Sequence, residues 1–433
     1  MNLLMPFFDF SAVLIGKLTM YASRILKLGA GGTWPGEVAL AVSPELLNRF
    51  ESKLTRGVIL VAGTNGKTTT SLMLKSILAA QGFRVIHNAS GANLVNGLAS
   101  AYINSVSLFG KSAEFDFAVF EIDENSLPLV LKFITPRYVI CLNLFRDQLD
   151  RYGEVDIIAE KWQKALSKLP KSSTVLLNSD DPQIAYLGKS LKAKTIYFGI
   201  NAKKKNLNKL EHATDSIFCL NCQKRLSFTE IYFSHIGIWQ CKNCGLERPD
   251  PAYSTVKSSL PGFYNLYNTV AAYACARELK IDESAIGRVL NNFSPAFGRQ
   301  EEFRFAGIKI KIFLSKNPAG FNQSIATVRQ LKAKNLLILL NDRIPDGKDV
   351  SWIWDVDFEN IRNLKNIVIS GDRVYDLALR LKYAGSEFEV IEDLKRALLK
   401  AVSKTKIRET LFILPTYSAM LDVRKILTGK RIL

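Results

Sequence analysis

The chain has 433 residues, of which 48% are hydrophobic and 23% are charged, so it can bury more than one core. This composition excludes a disordered chain, and Asp9 and Lys17 interrupt the apolar opening before any run long enough to cross a bilayer. The net charge of +18 favours an anionic partner, such as a nucleic acid, a phosphorylated substrate or an anionic membrane, although a general abundance of lysine explains it equally well.

The opening segment, residues 1–29, is apolar but carries no clear signal-peptide pattern of an early positive region followed by a small-residue cleavage site. Its interrupted apolar character predicts an amphipathic helix that packs on the protein and can lie near lipid. We therefore expect residues 1–50 to form an N-terminal helical segment.

Short β-rich segments alternate with helical periods along most of the remaining chain, which predicts parallel sheets covered by helices. We expect a central α/β domain over residues 51–297 and a second α/β domain over residues 298–433. The predicted strands are 56–64, 115–123, 137–145, 173–181 and 194–200 in the first domain, and 308–315, 334–341, 364–371, 388–392 and 409–416 in the second.

A phosphate loop follows the first predicted strand, in the sequence VILVAGTNGKTTT. In such a loop glycines let backbone N–H groups wrap a phosphate, Lys67 reaches the terminal phosphates, and the Thr68 hydroxyl can hold Mg²⁺. The general pattern has glycine where this chain has Val61. The residues predicted to bind ATP here are Gly63, Thr64, Asn65, Gly66, Lys67, Thr68 and Thr69.

Four of the six cysteines form two C-x-x-C pairs within a predicted insertion of about residues 201–255: Cys219, Cys222, Cys241 and Cys244. This spacing predicts a structural Zn²⁺ site, in which four thiolates leave no open position for catalysis. The residues between the pairs alternate as a hairpin does, which indicates a zinc ribbon. Disulfides are the competing interpretation, and His235 is a less favoured ligand.

The sequence GTNGKTTT resembles the ATP loop of the Mur ligases and folylpolyglutamate synthetases. Those enzymes activate a carboxylate as an acyl phosphate, which an amine then attacks. The segment FEIDE resembles the family's Mg²⁺-binding strand end, which implies that Glu121 and Thr68 hold the metal. Asp123 is then a candidate for supporting these ligands without binding the metal itself. The resemblance implies a Mur-ligase-like central domain and a Rossmann-like C-terminal domain.

Three further segments extend this resemblance. NLFRDQLDRYGE resembles the family's N-x-x-x-D-H-L-D segment, but Gln148 stands where those enzymes usually carry a metal-binding histidine. PGFYNLYNTVAAYACA resembles a nucleotide-contacting segment, which implies roles for Asn265 and Asn268. FGRQEEF resembles the domain junction, which implies that Arg299 reaches the phosphates.

The inserted ribbon, together with HNASGANLVNGLASA, LSKNPAGFN and DGKDVSWIWDVDFE, resembles the MurT family, the ligase subunits of lipid II isoglutaminyl synthases. This implies ATP-dependent amidation of the D-glutamate α-carboxylate of lipid II to D-isoglutamine during peptidoglycan synthesis. It also implies ammonia from a GatD-type glutaminase subunit, a cytoplasmic location at the inner face of the membrane, and no nucleic-acid partner.

The aspartate of the DG-x-D segment, Asp349 here, is implied to complete the partner's Cys-His pair as a third catalytic residue. A glutaminase needs an exposed cysteine nucleophile on a strand-to-helix turn, with a histidine as its base. Outside the ribbon, Cys141 and Cys275 lack the glycine pattern of such a turn, and no histidine lies near either in a recognisable motif, so glutamine hydrolysis is expected on another chain. Trp352 and Trp354 are either anchors for that partner or core residues. Asp346, Asp355 and Asp357 are the alternative acidic residues, expected in turns or helix caps.

Two other functions fit parts of the sequence. The first is another Mur-type or folylpolyglutamate-type ligase, which would join an amine to a cytosolic substrate without glutamine. The second is a zinc-ribbon ATPase that binds nucleic acid. The ligase-like segments on both sides of the ribbon disfavour the second, whereas salt-sensitive binding to DNA or RNA would support it.

Overall fold

A computed structural model describes residues 7–25, 32–88, 92–107, 114–147, 155–201, 207, 210–212, 214–294 and 298–429. Gln148, which stands where the Mur ligases carry a metal-binding histidine, lies outside these residues.

The described part of the N-terminal segment contains three helices, α1 (Phe7–Ile25), α2 (Trp34–Val42) and α3 (Leu46–Glu51). Helix α1 is amphipathic, as its sequence predicts, because Ala12 and Val13 are fully buried whereas Leu18 is exposed. The buried carboxylate of Asp9 accepts a hydrogen bond from Ser43 Oγ at 3.0 Å, which ties α1 to the end of α2. No helix in the described ranges is long and apolar enough to span a membrane.

The first sheet has six parallel strands in the order β2-β3-β1-β4-β5-β6. Its strands are apolar along most of their length because helices cover both faces. All five strands predicted in this region are present, and β2 is an additional strand. Their bounds are β1 (Leu54–Ala62), β2 (Val85–His87), β3 (Phe115–Ile122), β4 (Tyr138–Cys141), β5 (Thr174–Asn178) and β6 (Lys194–Phe198).

Seven helices in the described ranges belong to this sheet: α4 (Lys67–Ala80), α5 (Val95–Ser105), α6 (Leu127–Val130), α7 (Val155–Leu166), α8 (Pro182–Leu187), α9 (Tyr264–Glu278) and α10 (Glu283–Asn291). A short 3-10 helix spans Gly188–Ser190. Helices α4, α9 and α10 cover one face, over Ile59 and Val61. The other face packs against α1 to α3 and α5 to α8, with Trp162 fully buried.

The second sheet has the order β13-β12-β11-β14-β10-β9 and is parallel except for β9, which pairs antiparallel with β10 at one edge. All five predicted strands are present, and β9 is an additional strand. Their bounds are β9 (Arg299–Phe305), β10 (Ile308–Phe313), β11 (Asn335–Leu339), β12 (Asn366–Ser370), β13 (Glu389–Val390) and β14 (Thr410–Pro415).

The helices of this second unit are α11 (Pro318–Gln330), α12 (Val374–Tyr383), α13 (Leu394–Lys404) and α14 (Tyr417–Thr428). Two 3-10 helices, Ser351–Asp355 and Phe358–Ile361, follow β11. The strand order of the first sheet changes direction at β1, between β3 and β4. Because ligands of open α/β sheets bind beside such a reversal, at the carboxyl ends of the strands, the fold points to the loop after β1.

Candidate active site

The phosphate loop contains two glycines in the left-handed region, Gly63 with φ 146° and Gly66 with φ 92°. A Cβ on Gly66 would lie 2.1 Å from Asn268 Oδ1, so a side chain has no room there. The backbone N–H of Asn65 donates to Asn143 Oδ1 at 2.8 Å. The loop is therefore shaped by its own glycines, held by the hydrogen bond with Asn143 and packed closely against Asn268.

Lys67, the first residue of α4, is buried and held by three oxygen atoms. Its Nζ lies 2.5 Å from Gly63 O, 3.2 Å from Thr64 O and 3.0 Å from Glu124 Oε2. Burial raises the pKa of Glu124, but Lys67 and Lys316 outweigh it and keep the pKa of that carboxyl below its usual value. The lysine predicted to bind phosphate is thus paired with a carboxylate in this structure.

Glu121 is buried at the end of β3, and its backbone is fixed by two hydrogen bonds, of 2.9 and 2.8 Å, with the Asn88 side chain. Its Oε2 has no hydrogen-bond partner among the described residues. An unpartnered buried carboxylate oxygen is costly, and it suits a hard cation such as Mg²⁺. Thr68 is half-buried at the start of α4, and Asp123 is buried beyond Glu121. Their roles at a metal stay predictions.

A cavity beside the loop brings together six of the predicted ATP-binding residues, Thr69 among them. Its lining includes Asn65, Gly66, Asn265, Asn268 and Arg299, and it encloses about 740 Å³ of space, part of it open to solvent. Asn268 Nδ2 donates to Asn265 Oδ1 at 3.0 Å, so the two asparagines form one pair on α9. This grouping fits a nucleotide, because polar side chains and backbone N–H groups converge on one concave site.

The second domain completes this site through residues that the sequence analysis did not single out. Asn65 Nδ2 donates to Asn317 Oδ1 at 3.3 Å, and Asn317 Nδ2 donates to Asn65 Oδ1 at 3.1 Å. The neighbouring Lys316 forms an ion pair with Asp147, which is buried. Burial raises the pKa of Asp147, while Lys316 lowers it by a smaller amount.

The sequence alone did not identify five further candidate site residues: Glu124, Asn143, Asp147, Lys316 and Asn317. A signal for each is present, because all five lie in the segments FEIDE, NLFRDQLD or LSKNPAGFN, which resemble the family. The pairings that these residues make could not be predicted from the sequence, since they join positions up to 252 residues apart.

The four ribbon cysteines converge, with their sulfur atoms all within 4.8 Å of one another. Each pair forms a knuckle in which the residue after its second cysteine is left-handed, Gln223 with φ 58° and Gly245 with φ 74°. The separations of 3.5 Å for Cys219–Cys244 and 3.4 Å for Cys222–Cys241 are close to those in a tetrahedral thiolate shell. The cluster therefore fits a structural Zn²⁺.

The ribbon strands β7 (Ser227–Phe233) and β8 (Ile236–Gln240) form the predicted hairpin. Buried Asp180 anchors it, accepting from Arg248 Nε and Tyr267 OH at 2.6 Å each. His235 is fully buried against Phe145 and does not belong to the cysteine cluster. Phe233 of the same hairpin lines the ATP cavity, so the ribbon supports the active-site wall.

Asp349 is exposed on the loop after β11, where its Oδ1 accepts a hydrogen bond from Ser351 N at 2.8 Å. Trp352 is half-buried, with its ring centroid 6.1 Å from that of Phe321, whereas Trp354 is 46% exposed. The alternative acidic residues contact other elements: Asp346 bonds Ser418, Asp355 pairs with Arg146, and Asp357 contacts His212 and Asn322. Among the four, Asp349 is the most available to a second protein.

Two protein families match this chain. The Mur ligase middle domain matches residues 61–276, and the MurT ligase C-terminal domain matches residues 314–420. The first match includes the phosphate loop, Glu121 and the ribbon. The second begins just before Lys316 and includes Asp349, so the two matches cover both sides of the site.

Curated relatives match over nearly their full length. The lipid II isoglutaminyl synthase (glutamine-hydrolyzing) subunit MurT of Staphylococcus aureus is 34% identical over 420 residues, 92% of each chain. The subunit of the same name from Streptococcus pneumoniae is 33% identical over 430 residues, 94% of each chain. A pseudomurein peptide ligase type C from Methanothermus fervidus shares the fold, with a TM-score of 0.66 and 24% identity over 89% of this chain and 81% of that one. This chain belongs to the MurT family of Mur ligases.

Proposed function

We propose that this chain is the ligase subunit of a lipid II isoglutaminyl synthase, which amidates the α-carboxylate of D-glutamate in the lipid II stem peptide. The observation that carries the proposal is the phosphate-loop cavity bounded by both domains, in a chain related to MurT subunits along its length. The proposed division at residues 1–50, 51–297 and 298–433 follows the two sheets, with the site between them.

In the first step, a carboxylate oxygen of the substrate attacks the γ-phosphorus of ATP. An O–P bond forms, the bond to the β-phosphate oxygen breaks, and ADP leaves. Lys67 and Arg299 stabilise the charge on the transferred group. The phosphate loop positions the phosphates through Gly63, Thr64, Asn65, Gly66, Lys67, Thr68 and Thr69. Mg²⁺, held by Thr68 and Glu121, would neutralise phosphate charge when bound.

In the second step, ammonia attacks the acyl carbon of the acyl phosphate. The C–N bond forms, the C–O bond to phosphate breaks, inorganic phosphate leaves and nitrogen loses one proton, which gives the primary amide. Water must be excluded, since it would hydrolyse the same intermediate. The interdomain pair Asn65–Asn317 helps to close the site over this intermediate.

The ammonia comes from a separate GatD-type glutaminase. Cys141 and Cys275, the cysteines outside the ribbon, are fully buried, and burial raises the pKa of each thiol. Neither can serve as a glutaminase nucleophile, because that role requires an accessible thiolate. Exposed Asp349 would orient the histidine of the partner's Cys-His pair, and Trp354 would contribute to the partner surface.

We further propose that the protein is cytoplasmic and binds the inner face of the membrane, where lipid II lies. Helix α1 and the start of α2 expose large apolar side chains: Leu18 at 59%, Tyr21 at 58%, Ile25 at 78% and Trp34 at 67%. Such side chains insert at the lipid headgroup boundary. The net charge of +18 adds attraction to anionic lipid and to the pyrophosphate of the substrate.

The test is to co-purify the chain with its glutaminase partner and incubate the complex with lipid II, glutamine, ATP and Mg²⁺. Mass spectrometry should detect the amide, and omission of ATP should abolish it. Absence of amide with both chains folded would contradict the proposal. Joining of an amino acid to a soluble substrate without glutamine would favour the alternative ligase, and salt-sensitive nucleic-acid binding would favour the zinc-ribbon ATPase.

A further inference from the structure

The zinc ribbon is held firmly by the first domain. Buried Asp180, just after β5, accepts a hydrogen bond from Ile200 N at 2.8 Å where the insertion begins, and one from Arg248 Nε at 2.6 Å where it ends. Within the hairpin, Trp239 Nε1 donates to Ser179 O at 3.0 Å. Because its beginning, its hairpin and its end are all fixed, the ribbon keeps one position relative to the first sheet.

The hairpin of the ribbon also packs against the second domain. Tyr232, Phe233 and Ile236 belong to one buried apolar cluster with Ala319, in the first turn of α11. This part of α11 forms one wall of the ATP cavity, through Ala319, Gly320, Gln323 and Ser324. The ribbon therefore touches the second domain at the helix that bounds the proposed nucleotide site.

A polar contact reinforces this apolar one at the segment that leads into the ribbon. His212 Nδ1 lies 2.9 Å from Asp357 Oδ1, on the loop between the two 3-10 helices of the second domain. Asp357 Oδ2 accepts from Asn322 Nδ2 at 2.9 Å, and Asp357 N donates to Asn322 Oδ1 at 2.8 Å. Asn322 stands in α11 between Gly320 and Gln323, so His212 reaches the cavity wall through one intermediate residue.

Glu211 provides a second polar contact from the same segment. Its Oε2 accepts a hydrogen bond from Ser234 N, in the turn of the ribbon hairpin, at 2.8 Å. Burial raises the pKa of this carboxyl to about 7 and Asp357 adds to the rise, whereas hydrogen bonds from Ser234 N and the Asn322 side chain lower it. Glu211 thus joins the hairpin to the same two residues of the second domain that His212 reaches.

We propose that the zinc ribbon positions the second domain over the phosphate loop, and that Glu211 and His212 are the positioning residues, which act through Asp357 and Asn322 on the α11 wall of the ATP cavity. The inference rests on the proposed function in taking ATP as the occupant of that cavity. A nucleotide site with walls from two domains needs those walls at one separation, since a displaced wall loses its contacts with the ligand. The ribbon supplies that separation and takes no part in the chemistry.

Substitution of the exposed member of this contact tests the proposal on the full chain. His212→Ala should raise the Kd for Mg²⁺-ATP about threefold, as measured by titration calorimetry. The melting temperature should change little, because the His212 side chain is 63% exposed. His212→Gln should restore most of the affinity, since its amide can still donate to Asp357. Glu247→Ala is the matched control, because Glu247 is an exposed ribbon residue outside these contacts.

A double-mutant cycle separates positioning from a general loss of structure. If His212 acts through Asp357, His212→Ala should weaken ATP binding no further in a protein that already carries Asp357→Ala. Fully additive effects of the two substitutions, or wild-type affinity in His212→Ala, would overturn the proposed route.

Removal of zinc from the wild-type chain is independent of whether these variants fold. It should raise the Kd for Mg²⁺-ATP at least as much as His212→Ala does, and re-addition of zinc should reverse the change. Unchanged ATP affinity in the zinc-free protein would overturn the positioning role, although the zinc-loaded complex would still form amide. If the wild-type complex binds ATP but makes no amide, the proposed function fails instead, so the two failures are distinguishable.

Discussion

Asn65 of the phosphate loop and Asn317 at the start of α11 exchange two side-chain hydrogen bonds, of 3.3 and 3.1 Å, across the domain boundary. Asn317 Oδ1 also accepts from Gly320 N at 2.7 Å and so caps α11. One residue therefore both begins a helix of the second domain and positions the ATP site of the first.

Two substitutions separate these roles of Asn317. Asn317→Ala should raise the KM for ATP several-fold and lower the free energy of unfolding by about 1 kcal/mol, because the cap is lost. Asn317→Asp keeps the capping oxygen but loses the amide donor to Asn65, so the KM should rise with little loss of stability. ATP titration and urea unfolding measure the two effects. Equal stability losses in the two variants would argue against the capping role.

Asp349→Asn should abolish glutamine-dependent amidation and spare amidation driven by added ammonium, since it removes only the carboxylate that orients the partner's histidine. Asp346→Asn is the contrasting variant. Its buried carboxylate accepts a 2.9 Å hydrogen bond from Ser418 N, so this change should lower stability by about 1–3 kcal/mol. Loss of ammonium-driven activity in a folded Asp349→Asn protein would contradict the assignment.

Glu124→Gln should lower the free energy of unfolding by about 3 kcal/mol, because it leaves the buried cation of Lys67 without its counter-charge. The loss should shrink when ATP and Mg²⁺ are present, since phosphate then neutralises the lysine. Denaturant titrations with and without nucleotide measure both values. Glu302→Gln is the control, because Glu302 forms its ion pairs near the surface and should contribute less than about 1 kcal/mol.

Removal of zinc by a chelator should lower the melting temperature of the protein, and re-addition of zinc should restore it. Cys222→Ser should lose the metal, as measured by atomic emission, whereas Cys275→Ala should retain it because Cys275 lies outside the ribbon. A fully stable, active and zinc-free Cys222→Ser protein would show that the four thiols serve another purpose.

Stability should fall as the pH rises from about 4.5 to 7 through the titration of Glu211, whose pKa burial raises to about 7. In this window the unfolded carboxyl has lost its proton while the folded one retains it, so the proton stabilises the folded state and its loss costs up to about 3 kcal/mol by pH 8. Glu211→Gln should reduce this slope. An identical pH profile in unfolding experiments would contradict the shift.

The sequence predicts ten of the twelve strands in the two large sheets, most of them because they contain buried apolar residues. The exception is β13 (Glu389–Val390), a short and partly exposed strand that lies within the β-rich segment FEVIE. Two strands were missed for physical reasons. β2 (Val85–His87) has only three residues, and β9 (Arg299–Phe305) is a charged antiparallel edge strand without such a run.

The phosphate loop was predictable from the sequence, since the residues that form it are consecutive in the chain. The pairs Lys67–Glu124 and Asp147–Lys316 were not predicted, because their partners are 57 and 169 residues apart and meet only in the folded protein. The roles of these residues depend on tertiary contact more than on local pattern.

The ion pair of Lys67 with Glu124 has a consequence for selectivity. Because the Glu124 carboxylate already neutralises Lys67, an incoming anion must displace that carboxylate before it can bind the lysine. A single phosphate makes too few other contacts to offset that exchange, whereas a metal-bound triphosphate has additional contacts along the loop. Resting protein should therefore resist inhibition by the inorganic phosphate that its own reaction releases.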